Sequence, residues 1–230
     1  MTLATVTTSL PAVAETPPPR TTSAAADVVD YEKEEKIARL QSSAIDAFSR
    51  RDFPAAVVSL RELTRLDPDN PSWHEALGQC YTDGAPRQDF MAASEEFTAA
   101  IALTPVNDTQ SRARLLAGRA LAAEGAANWS AALADYDDAL ATAARGGLSA
   151  DPYIINCRGN VLASSGDWVG AREAYLSSAA AFQGVRGVNS ASVNKLREDG
   201  YTFAASNAAL ALAQLGETKD SVAEMEKISR

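Results

Sequence analysis

Residues 151–178, DPYIINCRGNVLASSGDWVGAREAYLSS, decide the fold. Small and apolar side chains recur at helical spacing through Gly159 and Leu162, and Gly166-Asp167 then interrupts the pattern. A second periodic stretch starts at Trp168 and carries Ala171, Tyr175 and Ser178 on one face. The unit is a helix, a short turn and a second helix.

The same unit recurs on both sides of this stretch. From Asp30 onward, Ile37, Leu40, Ala44, Ile45 and Phe48 mark one apolar helix face. The next helix opens at Asp52-Phe53-Pro54, runs through Ala56, Leu60, Leu63 and Leu66, and stops at Asp67-Pro68, where proline cannot continue it. Leu77-Gly78 and Tyr81 precede Phe90, Ala93, Phe97, Ala100 and Pro105. Gly118 and Leu121 precede Trp129, Ala132, Tyr136 and Ala139. Ala209, Leu212 and Gly216 precede Ser221, Met225 and Ile228. Four second helices share one spacing: Phe53/Ala56/Leu60, Phe90/Ala93/Phe97, Trp129/Ala132/Tyr136 and Trp168/Ala171/Tyr175. Close packing explains it, because Gly78, Gly118 and Gly159 remove side chains where the helices of a pair cross, and large residues fill the gaps. Alanine occupies 47 of the 230 positions, which favours close-packed helices over sheet.

These residues resemble the tetratricopeptide repeat, a stacked helix-pair family, over about residues 37–230. The fold expected is all-α, a right-handed α-solenoid of about five such pairs, with units near 37–70, 71–107, 111–144, 152–185 and 202–230. The second unit carries about three extra residues near Ala85-Pro86-Arg87, the third about two near Gly125, and the third ends at Gly146-Gly147 instead of proline. Residues 183–200, with Gly184, Gly187 and Asn189-Ser190, read as an insertion forming an extended loop or short helix. Residues 151–160, Ala171-Arg172-Glu173-Ala174-Tyr175 and residues 203–212 more narrowly resemble plant and algal repeat proteins of the chloroplast thylakoid lumen. That resemblance implies a lumenal protein serving the assembly or maintenance of photosynthetic complexes.

Residues 1–29 read as a flexible leader. Its opening lacks charge as far as Ala14, where Ala12-Val13-Ala14 has the form of a processing site, and Pro17-Pro18-Pro19 follows. No stretch is long enough for a transmembrane span. The net charge of −9, without a basic block, argues against nucleic acid as ligand. One histidine and two separated cysteines suit neither a metal site nor nucleophilic catalysis, so no cofactor, metal or catalytic residue is expected, and Cys80 and Cys157 read as packed thiols. His74 reads as an ordinary helical residue, Trp129 and Trp168 as core, and Asp135, Asp137 and Asp138 as a solvated face at a helix start.

In the family, the first helix of each pair lines the concave groove that holds a protein or peptide partner. Carried over residue by residue, that face comprises Gln41 with Ile45, Glu75 with Gln79, Arg112 with Arg119, and Tyr153 with Asn156 and Asn160. The resemblance implies a non-catalytic scaffold or adaptor, in which amides meet a partner backbone and arginines meet carboxylates. The lysine and asparagine clamp that grips acidic chaperone tails is absent, since the first two units present Gln41, Ile45, Glu75 and Gln79. Changing Asn156 and Asn160 together to alanine is expected to weaken binding and leave folding almost untouched. The alternatives are a self-associating structural module, or a small-molecule binder or enzyme built on residues 183–200.

Overall fold

The computed structural model describes residues 24–84, 89–184, 191–217, 220–221 and 223. The processing site near Ala14, the three-residue insertion near Pro86, and Met225 with Ile228 lie outside them. The chain divides into two compact units, Met1–Lys36 and Ile37–Arg230. In the first, the described residues are helical, and 31–36 are exposed.

The described residues hold nine helices and no strand: α1 (Ala24–Ser49), α2 (Phe53–Leu66), α3 (Pro71–Asp83), α4 (Phe90–Leu103), α5 (Thr109–Gly125), α6 (Trp129–Arg145), α7 (Pro152–Ser164), α8 (Trp168–Gly184) and α9 (Ala191–Gln214). Each helix from α3 packs on its sequence neighbours, while α3 also touches α5 and α5 touches α7. First helices thus stand beside first helices, as a solenoid of helix pairs requires.

Local chemistry fixes where the helices start. Asp52, Asn70, Asp89, Asp108, Asn128 and Asp151 cap α2 to α7, each side chain accepting a backbone N–H of the first turn. Asp167 does the same before α8, accepting from Gly170 N–H at 2.9 Å. A carboxylate there satisfies an otherwise unpaired donor and meets the positive end of the helix dipole. Part of the acid excess is therefore spent on starting helices.

Between the helices of a pair the chain makes one recurring turn. Asp52, Asn128, Asp167 and Glu217 donate their backbone N–H to the carbonyls of Ala47, Ala123, Leu162 and Leu212 at 2.8–3.1 Å. The residue before each donor is left-handed: Arg51 (φ 59°), Ala127 (φ 56°), Gly166 (φ 87°) and Gly216 (φ 82°). Counting back seven positions from these turns reaches Ala44, Ala120, Gly159 and Ala209.

That count corrects the third unit. The small residue at its helix crossing is Ala120 and not Gly118, because Ala120 is fully buried with Ala132 and Tyr136 in one cluster. Gly118 faces the preceding pair, where a Cβ would lie 2.6 Å from the Phe97 ring. The two extra residues expected near Gly125 do not exist as an insertion, and Gly125 makes room for Phe90. Elsewhere the expected contacts hold, with Gly78 against Phe97 and Gly159 against Tyr175.

Two further expectations change. Residues 24–29, read as leader, belong to α1. Residues 191–200, read as a loop or short helix, are the first part of the 24-residue α9, while 185–190 lie outside the described residues. Gly200 leaves room there for the buried Phe182 ring.

The core is a chain of local clusters. One gathers Ala44, Leu60, Leu77, Cys80 and Phe97; others gather Tyr136 with Val161, Tyr175 with Ala208, and Phe182 with Ala204. Trp129 and Trp168 are half-buried at the edges of the Tyr136 and Tyr175 clusters, so the smaller rings fill the crossings.

Alanine in the left-handed region carries steric strain between its Cβ and the backbone, of about 1–2 kcal/mol. Ala127→Gly is therefore expected to stabilise the fold by up to about 1 kcal/mol, after the entropy glycine loses on folding. Urea denaturation measures it, and a destabilisation would show that the turn does not fall at Ala127.

Candidate functional site: the face of the first helices

Once the register is set, the side chains that the first helices present follow from arithmetic. One position after the small residue stand Ile45, Gln79, Leu121, Asn160 and Leu210; three before it, Gln41, Glu75, Ala117, Asn156 and Ser206; six before it, Ala38, Ser72, Arg114, Tyr153 and Phe203. Five of these are large apolar residues left open to solvent: Ile45, Leu121, Tyr153, Phe203 and Leu210 are 44–63% exposed. Among the other helices, α2, α4 and α8 each expose one large apolar residue, Val58, Met91 and Val169, whereas α3 and α6 expose none, and Tyr31, Val106, Leu148 and Leu215 are exposed elsewhere. The five residues of the first helices fall at only two repeated positions, one after and six before the small residue, so they share one face, and apolar area aligned in this way is what interaction surfaces present.

The expected site residues fall into two groups. Gln41 is exposed beside Ile45, and Gln79 lies across from it on α3, both lining one pocket. Glu75 is on the face but already engaged: Arg114 Nη1 lies 2.6 Å from its Oε1, and Gln79 Nε2 donates to the same oxygen at 3.4 Å. Burial raises the Glu75 carboxyl above the usual carboxylate range, and the Arg114 cation opposes that shift. Tyr153 is half-exposed, its ring standing edge-on to Phe182 at 4.9 Å between centroids.

The remaining residues have structural work, which corrects their placement. Arg112 donates from Nη1 to the carbonyls of Ile101 and Thr104, both at 2.9 Å, closing the C-terminal end of α4. Arg119 forms a two-pronged ion pair with Asp135 on α6 at 2.7 and 2.8 Å and also donates to Thr98 on α4. Both arginines point to second helices because the register of α5 differs by two residues from the sequence expectation; Arg114 and Leu121 occupy the face instead.

Asn156, expected in the groove, is only 3% exposed. Its Oδ1 accepts from Asn207 Nδ2 on α9 at 3.3 Å, a bond to the next first helix. Asn160 accepts from the Tyr175 hydroxyl at 3.0 Å, a bond between helices of one pair. Leu121, Phe203 and Leu210 were missed, although the seven-residue interval to the turn was present in the sequence as a signal.

The other conspicuous side chains are also engaged. His74 Nδ1 lies 2.7 Å from Glu96 Oε2. Trp73 donates to Asp67 at 3.2 Å. Asp137 pairs with Arg158 at 2.6 Å, so with Asp135 two of the three carboxylates on α6 bridge to α5 and α7, and they sit in mid-helix instead of at its start. Burial pushes the Cys80 thiol up to about 11 and raises Cys157 as well, so both stay protonated at neutral pH. Among the described residues no group of three His, Cys, Asp or Glu is placed to hold a metal ion. None of the described helices is long and apolar enough to cross a membrane.

No family model and no curated protein matches this sequence. Solved structures do. The crystal structure of MamA protein aligns with a TM-score of 0.64 at 19% identity, over 85% of this chain and 91% of that one. MamA from Desulfovibrio magneticus RS-1, residues 41 to the end, aligns with a TM-score of 0.64 at 13% identity, over 84% and 93%. The nearly identical TPR-like repeats of a Podosopora anserina putative kinesin light chain align with a TM-score of 0.65 at 14% identity, over 84% and 94%. At such identities the likeness is one of fold, and that fold is the helix-pair solenoid of tetratricopeptide type.

Asn156→Ala removes a side chain that is only 3% exposed together with its bond to Asn207, and is expected to destabilise by about 1 kcal/mol or more, the net worth of such a hydrogen bond. Gln41→Ala, at an exposed position, is expected to stay within about 0.5 kcal/mol. Thermal and urea melts of the two variants check this contrast, and equal stabilities would return Asn156 to the open face.

Proposed function

We propose that this chain is a non-catalytic adaptor that holds a segment of a protein partner along the face of α1, α3, α5, α7 and α9. One observation carries it: large apolar side chains are left exposed on these helices, through Ile45, Leu121, Tyr153, Phe203 and Leu210, with amides and one ion pair between them. Such a surface loses solvent-exposed apolar area when a segment lies along it, which at about 25 cal/mol per Å² is a sizeable driving force. The likeness of residues 151–160, 171–175 and 203–212 to lumenal repeat proteins supports a finer version of the proposal. In it the partner belongs to a photosynthetic complex and the compartment is the thylakoid lumen.

A photo-cross-linking amino acid placed at Leu121 is expected to capture a discrete protein from thylakoid-lumen extract, whereas the same group at Met91, on a second helix, captures none. Gel analysis followed by mass spectrometry reads the result. Capture at Met91 and not at Leu121 would assign binding to the opposite face.

A further inference from the structure

The groove is not uniform along its length. At its α1–α3 end it deepens into a pocket of about 410 Å³ walled by Ile45, Phe48, Leu60 and Trp73, with Gln41 and Gln79 at its edges. None of the residues lining it is charged. Three other clefts of comparable size each carry a cation and a carboxylate: Arg119 with Asp135, Arg114 with Asp151, and Arg197 with Glu198. The pocket by Ile45 therefore differs from them in chemistry and not in size.

Its occupant can be stated from that chemistry. A charged side chain entering a wall of Ile45, Phe48, Leu60 and Trp73 would lose hydration with no counter-ion to replace it. A bulky uncharged side chain loses nothing polar and buries apolar area. The two amides carry both donors and acceptors, so they can meet the N–H and C=O groups of the backbone that bears the anchor. The Trp73 wall is formed in advance, since its Nε1 donates to Asp67 and fixes the ring, which lowers the ordering cost of binding. Charge sets the flanks of the occupant: the chain carries a net −9, which favours a positively charged segment over an acidic one.

We propose that this pocket is the anchor subsite of the groove and that it takes one bulky uncharged side chain (Leu, Met, Phe or Trp) from a net-basic segment of the partner protein. The proposal rests on the groove assignment above and adds the chemistry of the ligand to it.

The test uses the whole chain and a phage-displayed library of random linear peptides as probe. Selected peptides are expected to be net positive and to share one bulky uncharged residue whose change to alanine weakens binding tenfold or more. Ile45→Glu, at an exposed position, is expected to cost about the same tenfold with an unaltered melt, because it sets a charge in the pocket wall. If Ile45→Glu shifts the melt, Gln41→Glu, at the exposed edge of the pocket, carries the same test. Selection of acidic peptides, or of peptides that bind the glutamate variant as well as the parent, would overturn the anchor. A parallel Phe203→Ser, Leu210→Ser variant separates the two levels. Binding lost there and retained in Ile45→Glu leaves the groove standing without this anchor, and binding retained in all variants overturns the groove as well.

Discussion

The structure depends on one recurring contact, in which a large side chain of α4, α6 or α8 is seated where the first helix of its pair has only glycine or alanine. Tyr175 sits against Gly159, Phe97 against Gly78, and Tyr136 shares a cluster with Ala120. The gap lets the two backbones approach, and the ring fills the space that would otherwise be a void. Because the contact fixes rotation as well as distance, it also determines which side chains of the first helix point outward. The surface proposed to face a partner is in this sense a by-product of core packing.

The fold was legible because its punctuation is chemical. Asp or Asn caps, Pro68 and Pro105, and the Gly166-Asp167 turn mark helix ends through hydrogen bonding and sterics, and the aromatic-to-small spacing of the second helices survives in four copies. The face of α5 was not legible from composition. Gly118 and Ala120 are both small and two residues apart, and each is used, Gly118 against the preceding pair and Ala120 against its own. Glycine draws the eye to Gly118, yet the left-handed turn at Ala127 assigns the crossing to Ala120. A shift of two residues turns a helix by more than half a revolution, so Arg112 and Arg119 exchange the groove for ion pairs and carbonyl caps. Asn156 was misplaced for another reason: its side chain turns toward Asn207 of the next first helix and is buried there.

Charge follows the same division between holding and presenting. Most of the acidic side chains that the structure engages stand at helix starts or in ion pairs between neighbouring helices, as Asp135 and Asp137 do. Along the first helices the sequence instead leaves Ile45, Leu121, Tyr153, Phe203 and Leu210 exposed at a cost in solvation, and the Glu75–Arg114 pair sits between them.

The register of α5 decides whether the groove presents Leu121 and Arg114 or Arg119 and Arg112, and nuclear Overhauser spectroscopy on methyl-labelled alanine reads it directly. The account predicts cross-peaks from the Ala120 methyl to the Tyr136 ring and from the Gly118 Hα to the Phe97 ring. Cross-peaks from Gly118 to Tyr136, with the Ala120 methyl in contact with no ring, would contradict it and return the two arginines to the groove.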